Sequence, residues 1–224
     1  MKTRLVSGVS FAVIVGLIGI MRFAFPETAF AGENDPSPTI TVQVYNYSQA
    51  SPATLRGAER EAGRILGEAG LHAVWLACPV VPFTVGPQGP CQKEPVATDI
   101  RLRVLAAPIH HKFQDNVFGF TVHPVLASVY YGYAVRRAKS DDAEFEVPLI
   151  LGCVIAHELG HLLLGPNGHS AGGIMQQEWG PKQLRLSLMG GLVFTSQQSE
   201  LLRGAARART ERQNLTSTSS TPED

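Results

Sequence analysis

Three observations predict an α+β fold with a mixed sheet packed on a long helix and a mainly helical C-terminal part. Between Thr39 and Ala106 the chain reads strand, long helix, strand, loop, strand, an α/β opening. From Val147 to Leu164 an almost wholly apolar run reads as a buried helix. After Trp179 the recognisable segments are helical.

The first 31 residues stand outside that fold. Lys2 and Arg4 precede an apolar run from Leu5 to Met21, and Ala29-Phe30-Ala31 supplies small residues where a signal peptidase cuts. The run is also near the lower limit for a membrane span, so an uncleaved anchor is the rival reading. The Ala-Phe-Ala site favours a signal peptide of residues 1–31, cleaved after Ala31, with export to the periplasm or outside the cell and no stable membrane insertion afterwards. Residues 32–210 then form one domain and 211–224 a polar tail, disordered by composition.

The elements follow in order. "TITVQVYNY" (Thr39 to Tyr47) alternates β-branched and polar residues as a strand does. Ser51-Pro52 starts a helix, with serine as N-cap and proline at the first position, and Leu55, Ala58, Ala62, Ile65, Leu66 and Ala69 keep its period up to Gly70. "HAVWLAC" and "TDIRLRVLA" (Thr98 to Ala106) are the next strands. Val117 to Val122 and Ala127 to Val135 both read as strands around His123-Pro124, one of them a sheet edge. Arg136 to Glu144 is a charged turn, Pro148 opens the apolar helix, Pro181 to Leu188 is a short helix, and Gly190-Gly191 breaks the chain. A last helix starts at Thr195 or Ser196 and continues through Arg209.

Without residues 1–31 the chain has 193 of its 224 residues, enough for one domain with a sizeable core. Three of 19 basic and one of 19 acidic residues leave with the signal, so 16 face 18 and the formal charge is −2. That balance offers no basic footprint for nucleic acid. Cys78 and Cys91 flank the Pro- and Gly-rich "PVVPFTVGPQGP", and export to an oxidising compartment predicts a disulfide between them. Cys153, inside the apolar helix, reads as a small buried hydrophobe. His110, His111 and His123 lack ligand spacing and read as structural or solvated.

The chemistry concentrates in "VIAHELGHLLLGPNGHSAGGIMQQEW". His157 and His161 are four apart, so both imidazoles project from one helix face. Glu158 lies between them, completing H-E-x-x-H, in which two histidines bind Zn²⁺ and the glutamate handles a water. An unpaired carboxylate in so apolar a helix costs several kcal/mol or is neutralised, and a divalent cation resolves that cost. Two residues downstream could complete the site: His169, eight past His161, and Glu178, which would give a His₂Glu set.

"HELGHLLLGPNGHSAGGIM" resembles the metzincin zinc metalloprotease signature. The resemblance implies His157 and His161 as the first two zinc ligands, Glu158 as general base, Gly165 where the chain turns toward the metal, His169 as third ligand and Met175 as the methionine-turn residue. In the family the glycine follows the second histidine by three residues and the third histidine follows by three more. Here both steps are four. Two extra residues cost only tenths of a kcal/mol in loop closure, so His169 is preferred over Glu178. The implied activity is that of a secreted zinc-dependent endopeptidase acting on peptides or proteins. A zinc-stabilised, non-catalytic binding or structural module on the same fold is the competing class. The intact glutamate argues against it.

Overall fold

The computed structural model describes residues 36–80, 89, 91–92, 96–107, 117–140 and 146–218, all within the compact unit Pro36–Asp224. Residues 1–35, with the expected signal peptide, most of the Cys78–Cys91 loop, residues 108–116, with His110 and His111, residues 141–145 and the last six residues lie outside them.

Strand β1 (Thr39–Asn46) leads into helix α1 (Pro52–Glu68). The Ser51 side chain accepts the Thr54 N–H at 3.1 Å, and Gly70 closes the helix at φ 78°. Strand β2 (His72–Cys78) returns parallel to β1, Thr39 opposite His72, and β3 (Asp99–Leu105) pairs parallel on the other side, Val42 opposite Ile100. Strand β5 (Leu126–Tyr130) adds in parallel to β3, and β4 (Gly119–Val122) is antiparallel to β5. The five-stranded order is β2-β1-β3-β5-β4, mixed as expected. β4 is therefore the edge among the two segments that flank His123-Pro124, a cis peptide.

One sheet face is apolar at every second position: Ile40, Val42, Val44, Ile100, Leu102, Val104, Ala127 and Val129 are all buried. Helices α1 and α3 (Val147–Leu164) belong to the same core cluster. α3 is long and apolar enough to cross a membrane by length and composition, yet every residue from Ile150 to Gly160 is buried in this core. A helix apolar on all sides belongs inside a protein when its neighbours cover it. Pro148 sits in its first turn, and Gly165, at φ 88°, ends it with its N–H on the His161 carbonyl.

Two expectations are corrected. The segment Ala127 to Val135 is not one strand: β5 stops at Tyr130, and Tyr131–Ser140 forms helix α2, which takes in the start of the expected charged turn. Aromatic and β-branched residues favour strands only weakly, and packing decides. Tyr133 and Ala134 are buried while Arg136 and Lys139 are exposed, a helical pattern. The polar tail is not irregular from residue 211. Helix α5 (Ser196–Thr218) continues to Thr218. Its Ser and Thr hydroxyls bond back one turn, Thr216 to the Arg212 carbonyl and Ser217 to that of Gln213, while Thr98 Oγ1 ties Gln213 to the domain at 2.8 Å. Helix α4 spans Pro181–Leu188.

Cys78 and Cys91 form the expected disulfide, and Cys153 is free and buried. Desolvation, reinforced by the neighbouring Glu61 carboxylate, raises the Cys153 pKa far above the usual thiol range.

Candidate metal centre

α3 carries His157 and His161 to the floor of a cleft of about 400 Å³, walled by Gly119 and Thr121 of the β4 edge and by Phe118 just before it. His157 Nδ1 lies 2.8 Å from the Ile174 carbonyl. A carbonyl only accepts, so Nδ1 holds the proton and Nε2 keeps its lone pair for the cleft. Trp179 Nε1 donates to the same carbonyl at 3.2 Å. The ring is also packed edge-on by Phe118, centroids 5.0 Å apart, and by Trp179 at 5.7 Å.

Beyond Gly165 the chain doubles back. Gly168 N–H donates to the Gly165 carbonyl and Ser170 N–H to that of Met175, which returns His169 toward α3. His161 Nε2 lies 3.1 Å from His157 Nε2 and 3.1 Å from His169 Nε2. The three rings form a group whose ligand atoms all lie within 4.8 Å of one another. Met175, completely buried, sits beneath: a Cβ on Gly160 would meet its Sδ at 2.6 Å.

The donor set fits a tetrahedral cation. Zinc–nitrogen bonds of 2.0–2.1 Å separate neighbouring nitrogens by roughly 3.3 Å, close to the 3.1 Å found. The electrostatics agree. Desolvation pulls the His157 pKa down to about 3 against the raising effect of the Ile174 hydrogen bond, and it also lowers those of His161 and His169. A cation between the rings would take the His157 Nε2 lone pair and those that His161 and His169 can turn to it, satisfying all three nitrogens at once.

Glu158 projects into the same cleft. It is 4% exposed, and burial pushes its pKa up to about 8. Among the described residues no hydrogen bond or ion pair engages its carboxylate. A Cβ on Gly119 would stand 3.1 Å from Glu158 Cδ and 2.1 Å from the Ser128 carbonyl. The Ser128 backbone cannot swing aside, so residue 119 has to be glycine for β4 to pair with β5 here, and the same missing side chain leaves room for the Glu158 carboxylate.

The sequence-predicted residues divide as follows. His157, His161, His169 and Glu158 share one cleft, with Met175 under it. Glu178 is exposed and lines the cleft wall, but it is not in the converging group. His123 lies exposed in the β4–β5 turn and is not among the residues that line the cleft. Sequence reasoning missed Phe118 and Gly119, whose only signal was their place in a strand-like segment, and the support that Trp179 gives to His157.

No protein-family model matches the chain and no curated protein matches it. Among solved structures, the fold is similar to that of a zinc-dependent peptidase from Methanocorpusculum labreanum (strain Z), with a TM-score of 0.49 and 15% sequence identity, covering 72% of this chain and 99% of that chain.

Proposed function

We propose that the protein is an exported, metzincin-like zinc endopeptidase whose metal is held by His157, His161 and His169 and whose general base is Glu158. One observation carries the reading: three imidazole nitrogens converge beside a buried carboxylate that has no counter-charge among the described residues, in a cleft open to an edge strand. Zinc in such a site would polarise a peptide carbonyl and lower the pKa of a water in its remaining coordination position.

The other steps belong to the chain's own residues. Glu158 removes the proton from the water that attacks the carbonyl carbon, and it returns that proton to the departing amine nitrogen. Burial raises the proton affinity of its carboxylate and a cation at the three histidines would lower it, so that the group could both take the proton and give it up. Among the described residues the edge of β4 opposite to β5 is unpaired, and it offers N–H and C=O groups to a peptide lying extended along it. Thr121 and Phe120 on that edge then meet the substrate side chains.

Export is part of the same reading. The basic start, apolar run and Ala-Phe-Ala site support a signal peptide, and the Cys78–Cys91 disulfide suits an oxidising compartment. N-terminal sequencing of exported protein should begin at Gly32, and intact Met1 on membrane-bound material would refute cleavage.

The activity is tested by metal analysis together with cleavage of a mixed peptide library, wild type against Glu158→Gln. One zinc per chain in both proteins is expected, with cleavage only in the wild type. One bound zinc and no cleavage by the wild type would replace the peptidase with a zinc-stabilised binding module.

A further inference from the structure

We propose that Gln198, in the first turn of α5, is the positioning residue for His169; this rests on the reading that the three histidines hold zinc. The three rings are held by very different means. His157 is fixed by the Ile174 carbonyl and two aromatic rings, and His161 stands on a buried helix. His169 is exposed on a loop, and the ring contacts it makes are to the other two histidines. Its place must therefore come from the backbone on either side.

Gln198 supplies that. Its Nε2 donates to Ser170 Oγ at 2.9 Å and reaches the Gly168 carbonyl at 3.5 Å, the residues immediately after and before His169. Its Oε1 accepts the Thr195 N–H at 3.0 Å. An amide N–H can only donate, so that bond orients the carboxamide and leaves its NH₂ facing the loop. Ser170 passes the constraint on: its hydroxyl donates to the Gly172 carbonyl at 2.7 Å and its N–H to that of Met175 at 3.0 Å.

Capping alone does not explain this arrangement. Thr195 and Gln198 form a capping box, in which Gln198 N–H also donates to Thr195 Oγ1 at 3.3 Å. That duty uses only the Oε1 and the backbone of Gln198, and it is normally performed at the surface. Here the side chain is 7% exposed. A buried amide is tolerated when its donors and acceptor are engaged, and both donor contacts go to the histidine loop. The loop from His161 to His169 is two residues longer than the family spacing. A longer loop has more conformations to lose on closing around a metal, so an external brace matters more.

The test compares three variants of the mature chain with its disulfide intact: Gln198→Met, which keeps the length but removes the amide; Thr195→Ala, which removes the cap hydroxyl but leaves the Nε2 contacts; and His169→Ala. Zinc affinity is read by competition with a chromophoric chelator, and ligand geometry by the visible spectrum of the cobalt(II)-substituted protein. Gln198→Met should weaken zinc binding roughly 10- to 100-fold, as loss of an outer-shell support does, and change the cobalt spectrum. Thr195→Ala should lower the melting temperature with wild-type affinity and spectrum. In a His169→Ala background, Gln198→Met should weaken zinc no further.

Wild-type affinity in Gln198→Met, equal losses in the Gln198 and Thr195 variants, or an undiminished Gln198 effect without His169 would each overturn the proposal. Should Gln198→Met fail to fold, Ser170→Ala removes the 2.9 Å acceptor and is read in the same way. A wild type that binds no zinc would remove the metal reading and this proposal together, whereas zinc in the wild type beside an unaltered Gln198→Met removes the proposal alone.

Discussion

His169 and Glu178 line one cleft, but only His169 brings a nitrogen into the group that converges within 4.8 Å. The difference lies in the chain that carries each. Gly165 leaves α3 in the left-handed region and the turn at Gly168 reverses direction, so the eight residues after His161 fold back onto the helix. Glu178 follows Met175 by only three residues and adjoins Trp179, whose indole is committed to the Ile174 carbonyl. His169→Ala should therefore leave zinc well below one per chain after dialysis and abolish turnover. Glu178→Gln should keep zinc near stoichiometry, and the reverse pattern in metal analysis would put the ligand role on the glutamate. At this scale the sequence was legible where spacing encodes geometry. Residues four apart on a helix share a face, so the spacing alone pairs His157 with His161. No such rule reaches Phe118 and Gly119. Phe118 meets the His157 ring and Gly119 the Glu158 side chain from the start of β4, nearly forty residues upstream, and nothing local in "VFGF" marks one glycine as the point where an edge strand comes close to a buried carboxylate.

Helices α1 and α3 approach closely because small residues meet along their seam. A Cβ on Gly152 would lie 2.6 Å from Glu61 Cβ and 2.7 Å from the Ala58 carbonyl, and the second of these is backbone that cannot swing aside. Gly152→Ala gains helix propensity, worth about 1 kcal/mol, but must push the two helices apart, and overpacking in a filled core costs about 1–3 kcal/mol. The clash should win. Urea unfolding should show Gly152→Ala less stable than wild type by about 1 kcal/mol, with an unchanged m-value; a stabilised variant would mean the seam has room. Element boundaries were legible where caps and breakers punctuate them. Ser51-Pro52, Pro148 and Pro181 each mark the start of a helix within a residue, and Gly165 the end of one. They were not legible at Tyr130-Tyr131, where β5 passes into α2 without such a signal and strand-favouring aromatics run through the junction. The burial of Tyr133 against Phe118, ring centroids 5.0 Å apart, and of Ala134 beside exposed Arg136 and Lys139 follows the helical period instead.

The whole molecule is tied together at points that composition does not announce. Arg209 is 5% exposed, and its guanidinium donates to the Ala97, Pro124 and Leu162 carbonyls, so one side chain of α5 joins the β2–β3 connection, the β4–β5 turn and the end of α3. In "AARARTER" it is one arginine among several, and sequence cannot tell it from its solvated neighbours. The mixed sheet and its helical packing were foreseeable from the order of elements, because a strand-helix-strand unit closes in few ways; the long-range braces were not, because each depends on two segments whose distance is set only once the sheet exists. The proposed metal would be one more such brace. It would clamp α3 to the loop at His169, which α5 holds from the other side through Gln198. A ligand that binds only the folded state adds RT ln(1 + [L]/Kd), about 4 kcal/mol at a thousandfold excess over Kd. For a domain of this size that corresponds to a rise in melting temperature on the order of 10 °C. Calorimetry of the mature protein with free zinc buffered in excess, against the same protein in a strong chelator, should show that difference. Hydrogen exchange should show the loss of protection concentrated around residues 165–175 and the start of α5, with the sheet core of Ile40, Val42 and Leu102 little changed. His169→Ala should lose most of the shift and Glu178→Gln should retain it. A melting temperature indifferent to the chelator, in a protein still holding its disulfide, would mean that the three imidazoles converge for some purpose other than binding a metal.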